Sequence, residues 1–133
     1  MKISIAKVQH IGIPTGNLEK SKEFYERLGF VSVMSSTFDH EGEKGRVVMM
    51  KSNKVLIEIY QLPKQVAHQN GHGPINHIAF DVDDIEKVYG QLKRQNFFIL
   101  EDAPVFLPFW KNGCKYFNIL GPNGERLEFN QII

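Results

Sequence analysis

The sequence predicts an α+β fold built from two βαβββ modules within one domain. The first observation is a repeated string: Val-Gln-His-Ile-Gly around His10 returns 67 positions later as Ile-Asn-His-Ile-Ala around His77. The second is Ile-Glu-Ile-Tyr-Gln around Glu58, which returns 70 positions later as Leu-Glu-Phe-Asn-Gln around Glu128. Self-similarity at a nearly constant offset indicates duplicated structural units, so we expect both halves to fold alike.

Length and composition fit a single compact domain. The chain has 133 residues, of which 42% are apolar and 23% charged, as is usual for globular proteins and unlike disordered or fibrous chains. We therefore expect one domain over residues 1–133, with module one at about 6–62 and module two at about 74–133.

Charge and cysteine content narrow the class of protein. The formal net charge is +1 with both signs interspersed, which predicts no nucleic-acid partner and no membrane surface as partner. A single cysteine, Cys114, excludes an internal disulfide and a cysteine-based zinc module. No apolar stretch is long enough for a membrane span, so a cytoplasmic location is expected.

Module one is predicted to have the order β-α-β-β-β. Asn17 is a typical N-cap residue, and Gly29 lies where the helix should end. Apolar or alternating runs predict the four strands at residues 6–13, 30–34, 45–51 and 54–61.

Module two repeats this order. Asp84 is the predicted N-cap of a helix with Ile85, Val88, Tyr89 and Leu92 on one side. The predicted strands lie at residues 74–82, 97–100, 115–120 and 125–132, the last two joined by a turn with the sequence Gly-Pro-Asn-Gly.

The segment 101–113 shows no periodic pattern of apolar residues, yet it contains three aromatic side chains, Phe106, Phe109 and Trp110. Long aperiodic segments in compact domains are often functional. Two interpretations stay open: the rings form a lid over a ligand, or they pack the loop down or fill a subunit interface.

The glutamates of the repeat are predicted to face away from the helices. Side chains alternate along a strand, so Glu58 shares its face with Leu56 and Tyr60, whereas Ile57 and Ile59 point to the other side. The apolar side is where a helix packs. Glu58, and by the same pattern Glu128, must then face water or a polar cavity.

Two histidines and two glutamates at equivalent positions predict one metal site. His10, His77, Glu58 and Glu128 offer two neutral nitrogens and two anionic oxygens, and the two negative charges offset those of a divalent ion. A lone histidine in a strand is more often structural, so the prediction depends on the matched pairs. Three further histidines have no counterpart and are interpreted as solvated loop residues: His40, His68 and His72.

These residues resemble the vicinal oxygen chelate superfamily, the glyoxalase/bleomycin resistance/extradiol dioxygenase proteins. The resemblance spans essentially the whole chain. It is carried by His-Ile-Gly-Ile from His10, Asn-Leu-Glu-Lys-Ser-Lys-Glu-Phe-Tyr from Asn17, His-Ile-Ala-Phe-Asp-Val-Asp-Asp-Ile from His77, and Gly-Pro-Asn-Gly-Glu-Arg-Leu-Glu from Gly121. It implies a cupped, partly open mixed β-barrel with helices outside, a homodimer, and one metal ion held by His10, Glu58, His77 and Glu128.

Members with four protein ligands look like glyoxalase I or methylmalonyl-CoA epimerase. The resemblance therefore implies a metal-dependent lyase or isomerase that transfers a proton through a metal-bound enediolate of a small hydroxycarbonyl compound or thiol adduct. Glu58 and Glu128 are the implied catalytic acid and base. Nickel or zinc is the favoured ion, and cobalt, manganese and iron are compatible with mixed nitrogen and oxygen ligands.

Substrate identity stays open. Bacterial glyoxalase I enzymes usually bind glutathione through an arginine and an asparagine at positions held here by Pro14 and Leu62. Alternatives are an epimerase, a ring-cleaving dioxygenase and a non-catalytic protein that binds a small aromatic molecule. Four residues are candidates for binding an anionic tail, the first two being more typical of surface charges: Arg46, Lys54, Tyr60 and Arg126.

Overall fold

A computed structural model describes residues 2, 4, 6–64 and 75–133, and it divides the chain into two compact units, Met1–Gln69 and Asn70–Ile133. The elements of unit 1 are β1 (Ile11–Pro14), α1 (Leu18–Arg27), β2 (Val31–His40), β3 (Glu43–Ser52) and β4 (Val55–Gln61). Those of unit 2 are β5 (Ile78–Asp81), α2 (Ile85–Arg94), β6 (Val105–Leu107), β7 (Cys114–Leu120) and β8 (Arg126–Ile132). The prediction of two βαβββ modules is confirmed.

Both units have the same mixed four-stranded sheet. The strand orders are β1-β4-β3-β2 and β5-β8-β7-β6, and in each sheet the first strand runs parallel to the last while the other neighbours are antiparallel. The register is also repeated, since Gly12 lies beside Glu58 and Ala79 beside Glu128. The duplication in the sequence is therefore a duplication of topology and register.

The helix ends follow from local sequence. Asn17 accepts a hydrogen bond from the backbone N–H of Lys20 at 3.1 Å, and Asp84 accepts one from that of Lys87 at the same distance. Such N-caps stabilise a helix by about 1 kcal/mol. Gly29 has φ of 97°, a conformation that glycine adopts without strain at the end of a helix.

The apolar face of each sheet carries the helix, as predicted. Ile57 and Ile59 of β4 are fully buried on the side covered by α1, and Leu127 of β8 is fully buried in unit 2, where α2 packs on β7 and β8. Burying each such side chain contributes about 1.5–3 kcal/mol. The opposite face of each sheet is thereby left for the glutamates.

The predicted strand at 97–100 is wrong. Only Ile99 forms a bridge, to Ile119, and the second strand of unit 2 is β6, which lies inside the segment predicted to be aperiodic. The physical reason is the side chain of Glu101, whose Oε1 accepts the backbone N–H of Asn118 at 2.6 Å. In a longer antiparallel ladder this N–H would donate to the carbonyl oxygen of Leu100. Because Glu101 accepts it instead, the strand pairing ends there.

Neither helix of the described residues is long and apolar enough to cross a membrane.

Candidate functional site

The first predicted pair, His10 and Glu58, lies close together within unit 1. His10 precedes β1 by one residue, where a position inside the strand was predicted, and Glu58 is in the middle of β4. Their atoms Nε2 and Oε2 are 3.8 Å apart, and about a third of each side chain is exposed. Two donor atoms that share one ion at about 2.0–2.2 Å lie at most about 4.4 Å apart. The pair therefore fits two ligands of one divalent ion.

Gly12 lies beside this pair on the sheet. A Cβ atom built at Gly12 would lie 3.8 Å from Oε1 of Glu58 and 3.7 Å from Cε1 of Tyr60. These contacts place Gly12, Glu58 and Tyr60 on one face of the sheet, as the alternation of side chains predicted.

Both histidines have one ring nitrogen engaged by the preceding residue. Nδ1 of His10 lies 3.0 Å from Oε1 of Gln9, and Nδ1 of His77 lies 3.0 Å from Oδ1 of Asn76. An amide oxygen only accepts hydrogen bonds, so each contact is a hydrogen bond in the tautomer that carries the hydrogen on Nδ1 and leaves the lone pair on Nε2. Metal-binding histidines are commonly oriented in this way.

The second predicted pair, His77 and Glu128, lines one cavity within unit 2. His77 precedes β5 by one residue, again outside the strand, and Glu128 lies in β8 beside Ala79. The cavity measures about 650 Å³. Its walls come from the sheet face opposite α2 and from the segment between β6 and β7. We call this space the unit-2 cavity.

Asparagines that were not predicted hold the acids of this cavity in place. Asn130 donates through Nδ2 to Oε2 of Glu128 at 3.2 Å, and Asn118 donates through Nδ2 to Oε2 of Glu101 at 3.0 Å. Neither asparagine has a counterpart of its own type in unit 1, so the repeat did not reveal them. Gln9 and Asn76 were detectable, because an amide precedes the histidine in both repeated strings.

Within the described part of either unit, no three histidine, cysteine, aspartate or glutamate side chains form a group that could hold an ion. Unit 1 contributes His10 and Glu58, and unit 2 contributes His77 and Glu128. Each unit thus supplies one nitrogen and one carboxylate of the predicted set.

The aromatic residues of segment 101–113 divide into two groups. Phe109 and Trp110 line the unit-2 cavity and are more than half exposed, at 56% and 69%. Phe106 is similarly exposed, at 53%, and its ring lies across Gly113, where an added Cβ would lie 2.3 Å from it. Phe109 and Trp110 thus lie on a cavity wall and Phe106 lies against the loop, so the lid and the packing interpretations both stay predictions.

The remaining candidates have other roles. Arg46 pairs with Glu19, and the hydrogen bond from its guanidinium is the main cause that lowers the pKa of that carboxyl. His40 is the last residue of β2, where a loop position was predicted. Its Nε2 atom lies 3.9 Å from Oε1 of Glu41. His68 and His72 lie outside the described residues.

Comparison with known proteins agrees with this architecture. The pattern of the Glyoxalase/Bleomycin resistance protein/Dioxygenase superfamily matches residues 7–129. The chain therefore belongs to this superfamily, as the resemblance predicted.

Individual relatives are distant. The uncharacterized protein YwbC of Bacillus subtilis (strain 168) is 26% identical over 125 residues, which cover 94% of this chain and 97% of that protein. A glyoxalase family protein from Enterococcus faecalis has a TM-score of 0.75 at 23% identity, covering 94% and 97% of the two chains. A glyoxalase I variant from Zea mays has a TM-score of 0.73 at 19% identity, covering 93% of this chain and 44% of that one. The two solved structures establish a shared fold.

Proposed function

We propose that the chain is a metal-dependent lyase or isomerase of the glyoxalase I kind, which moves a proton between adjacent carbons of a small hydroxycarbonyl compound or thiol adduct. The observation that carries the proposal is the 3.8 Å approach of His10 Nε2 to Glu58 Oε2, with the other ring nitrogen already engaged. The equivalent residues of unit 2, His77 and Glu128, line a cavity large enough for a small substrate.

His10, Glu58, His77 and Glu128 are the proposed ligands of one divalent ion. Two imidazole nitrogens and two carboxylate oxygens suit nickel or zinc first, with cobalt, manganese or iron as alternatives. When bound, the ion supplies a Lewis acid that polarises a carbonyl oxygen of the substrate.

Proton transfer is assigned to one of the two glutamates. A carboxylate takes the proton from the carbon that bears the hydroxyl group and delivers it to the adjacent carbonyl carbon, while the hydroxyl proton passes to the former carbonyl oxygen. The carboxylate is regenerated and no co-reactant is consumed. Glu128 holds the hydrogen bond from Asn130 on Oε2, which leaves Oε1 for the proton. Glu58 is the equivalent candidate in unit 1.

The substrate is proposed to be smaller than a glutathione conjugate. Pro14 has no backbone N–H, and neither it nor Leu62 has a side-chain donor for a peptide carboxylate. A hemithioacetal of a small thiol, or a free hydroxycarbonyl compound, needs neither contact. The homodimer stays a prediction, which sedimentation analysis of the purified chain checks.

A second candidate function is non-catalytic binding of a small aromatic molecule. The observation that favours it is the position of Phe109 and Trp110 on the wall of the unit-2 cavity. A binder of this kind needs no ion, so metal content separates the two proposals.

The test is elemental analysis of the purified protein together with metal titration of variants. We expect about one divalent ion per chain. His77→Ala and Glu58→Ala should each weaken its binding more than about a hundredfold, since losing only a partner of a ligand costs about 10–100-fold. The matched controls His40→Ala and Glu23→Ala should bind as the wild type does.

Proton chemistry is tested by deuterium incorporation from solvent into hydroxycarbonyl substrates and their thiol adducts. The loaded protein should catalyse the exchange, and Glu58→Gln or Glu128→Gln should abolish it, whichever residue is the base. A protein that binds no divalent ion, or that binds one equally well without His77, would overturn the proposal.

A further inference from the structure

We infer that the unit-2 cavity recognises a small carboxylate with a flat apolar body and a hydroxyl group, and that Arg126 and Asn130 select it. The inference rests on the proposed function in taking this ligand as the substrate of that site. It names the class of substrate, which the proposed chemistry leaves open.

Arg126 carries an unpaired positive charge on the cavity wall. It lies on β8 two residues before Glu128 and therefore on the same face of the sheet. Its Nε atom is buried without a hydrogen-bond partner, and within the described residues its guanidinium forms no ion pair. Leaving a buried charged donor unsatisfied is costly, so the site favours a ligand that brings an anion. A carboxylate matches the fork of an arginine side chain.

Asn130 presents the complementary group. Its Nδ2 atom donates to Glu128, whereas its Oδ1 atom is buried and has no donor partner in the described part of the chain. An amide oxygen can only accept a hydrogen bond, so this atom calls for a hydroxyl or N–H group on the ligand. Arg126 and Asn130 thus lie on either side of Glu128 along β8. Arg126 requires a hydrogen-bond acceptor on the ligand, and Asn130 requires a hydrogen-bond donor.

Unit 1 indicates that the fold does not need these polar groups. At the register positions of Arg126 and Asn130, two residues either side of the glutamate, unit 1 has Leu56 and Tyr60. The same sheet forms there with the same strand order. Arg126 and Asn130 are therefore departures from the shared frame that the sheet itself does not require.

The carboxylates that line the cavity together with Arg126 restrict where the anionic group of a ligand can bind. Three carboxylates also line the cavity, those of Asp81, Glu101 and Glu128. Glu101 is held by two hydrogen bonds from Asn118, and Asp81 is exposed to solvent. The anion is therefore expected at the guanidinium of Arg126, the one arginine or lysine side chain among the described residues that line this cavity.

The other walls suit a flat apolar body. The indole of Trp110 and the ring of Phe109 line the cavity together with aliphatic and aromatic side chains of the strands: Leu107, Tyr116 and Ile132. Aromatic rings stack on flat ligands and place them at low entropic cost.

Trp110 allows a direct test, because it is the only tryptophan of the chain and lies on the cavity wall. Its emission is followed while the protein, as purified and again after chelator treatment, is titrated with mandelate or with 1-phenyl-1,2-ethanediol. The two probes share a ring and a hydroxyl, and only mandelate has the carboxylate. We expect mandelate to bind at least about tenfold more tightly in both preparations, as a charged hydrogen bond implies.

Variants of Arg126 test whether its guanidinium causes the preference for mandelate. Arg126→Met should reduce the preference for mandelate to about twofold or less, and Arg126→Lys should retain part of it. The matched control Arg94→Met removes an exposed arginine at the end of α2 and should change nothing. Circular dichroism checks that each variant is folded.

Equal affinity for the two probes in the wild type would overturn the inference, as would a full preference in folded Arg126→Met. Metal content separates this failure from that of the proposed function. A protein that binds an ion and fails to prefer mandelate refutes the role of Arg126 alone. One that prefers mandelate and binds no ion refutes the proposed catalysis alone.

Discussion

The side chain of Gln131 accepts a hydrogen bond from the backbone N–H of Ile85, at 2.9 Å from Oε1 to N. Gln61 does the same for Leu18 in unit 1, at 3.0 Å. Each glutamine joins the last strand of its unit to the first residue of the helix, where backbone N–H groups have no partner inside the helix. The repeated strings thus encode a glutamate for one face of the sheet and, three positions later, a glutamine for the other.

Replacing Gln131 by alanine should lower the free energy of unfolding by about 1–2 kcal/mol, because the N–H of Ile85 then loses its partner at a partly buried helix end. Urea unfolding of the whole chain measures the change. Gln91→Ala, an exposed glutamine on α2, is the matched control and should stay within about 0.5 kcal/mol of the wild type. Equal losses in the two variants would show that the bond is not what stabilises the helix.

The elements that local sequence determines were predictable. Asn17 and Asp84 cap their helices with their own side chains, and Gly29 supplies the conformation that ends α1, so a short window of sequence contains the whole signal. The strand expected at 97–100 fails for a tertiary reason. The carboxylate of Glu101 takes the N–H of Asn118, and no local pattern reveals this contact.

The residues of the candidate site also divide into those that the sequence indicates and those that only the folded structure reveals. His10, Glu58 and their counterparts could be proposed because the repeat marks polar residues that recur in an apolar frame. Arg126 was one of several possible anion-binding residues, and Asn130 was placed on the face of Glu128 without a role in the site, since each occurs in one unit only. The burial of Arg126 Nε and of Asn130 Oδ1 without hydrogen-bond partners is visible only once β8 is folded.

Asn76 is predicted to set the tautomer of His77. Asn76→Leu removes the oxygen that lies 3.0 Å from Nδ1, so the imidazole is free to rotate and to place its hydrogen on Nε2. Affinity for the divalent ion should fall about tenfold, with little change in stability. Nitrogen NMR of the histidine rings and metal titration measure the two effects. Asn76→Asp keeps an acceptor and should bind the ion as tightly as the wild type does, and equally weak binding in both variants would contradict the prediction.

Arg46 should control the acid titration of Glu19. Its guanidinium donates two hydrogen bonds to that carboxylate, one of them 3.0 Å long from Nη2 to Oε2, and this contact lowers the pKa of Glu19. A carboxyl whose pKa is lower in the folded chain than in the unfolded one stabilises the fold above its unfolded pKa, and this contribution disappears as pH falls through the folded pKa.

Arg46→Met should therefore return the pKa of Glu19 towards its ordinary value, which carboxyl NMR titration measures. The difference in unfolding free energy between wild type and Arg46→Met should be small at neutral pH, smaller in high salt, and absent below the folded pKa of Glu19, because both side chains are exposed. Lys20→Met, one residue along the same helix, should leave the titration of Glu19 unchanged. A difference that grows on acidification has the wrong sign for this mechanism.

Tyr89 is predicted to anchor the start of the aromatic segment beside the unit-2 cavity. Its hydroxyl lies 2.6 Å from the carbonyl oxygen of Asp102 and 3.0 Å from that of Glu101, and its ring packs edge-on against Phe117 at 5.1 Å. Tyr89→Phe removes the hydroxyl and keeps the ring contact, so the unfolding free energy should fall by only about 1 kcal/mol.

The larger effect of Tyr89→Phe should be local. With residues 101 and 102 released, the indole of Trp110 should become more accessible to acrylamide, and mandelate should bind several-fold more weakly because the cavity wall is less ordered before binding. Tyr60→Phe, the loss of a hydroxyl in unit 1, is the control and should leave quenching of Trp110 unchanged. Identical quenching in wild type and Tyr89→Phe would mean that the contacts of Glu101 with Asn118 hold this segment without the tyrosine.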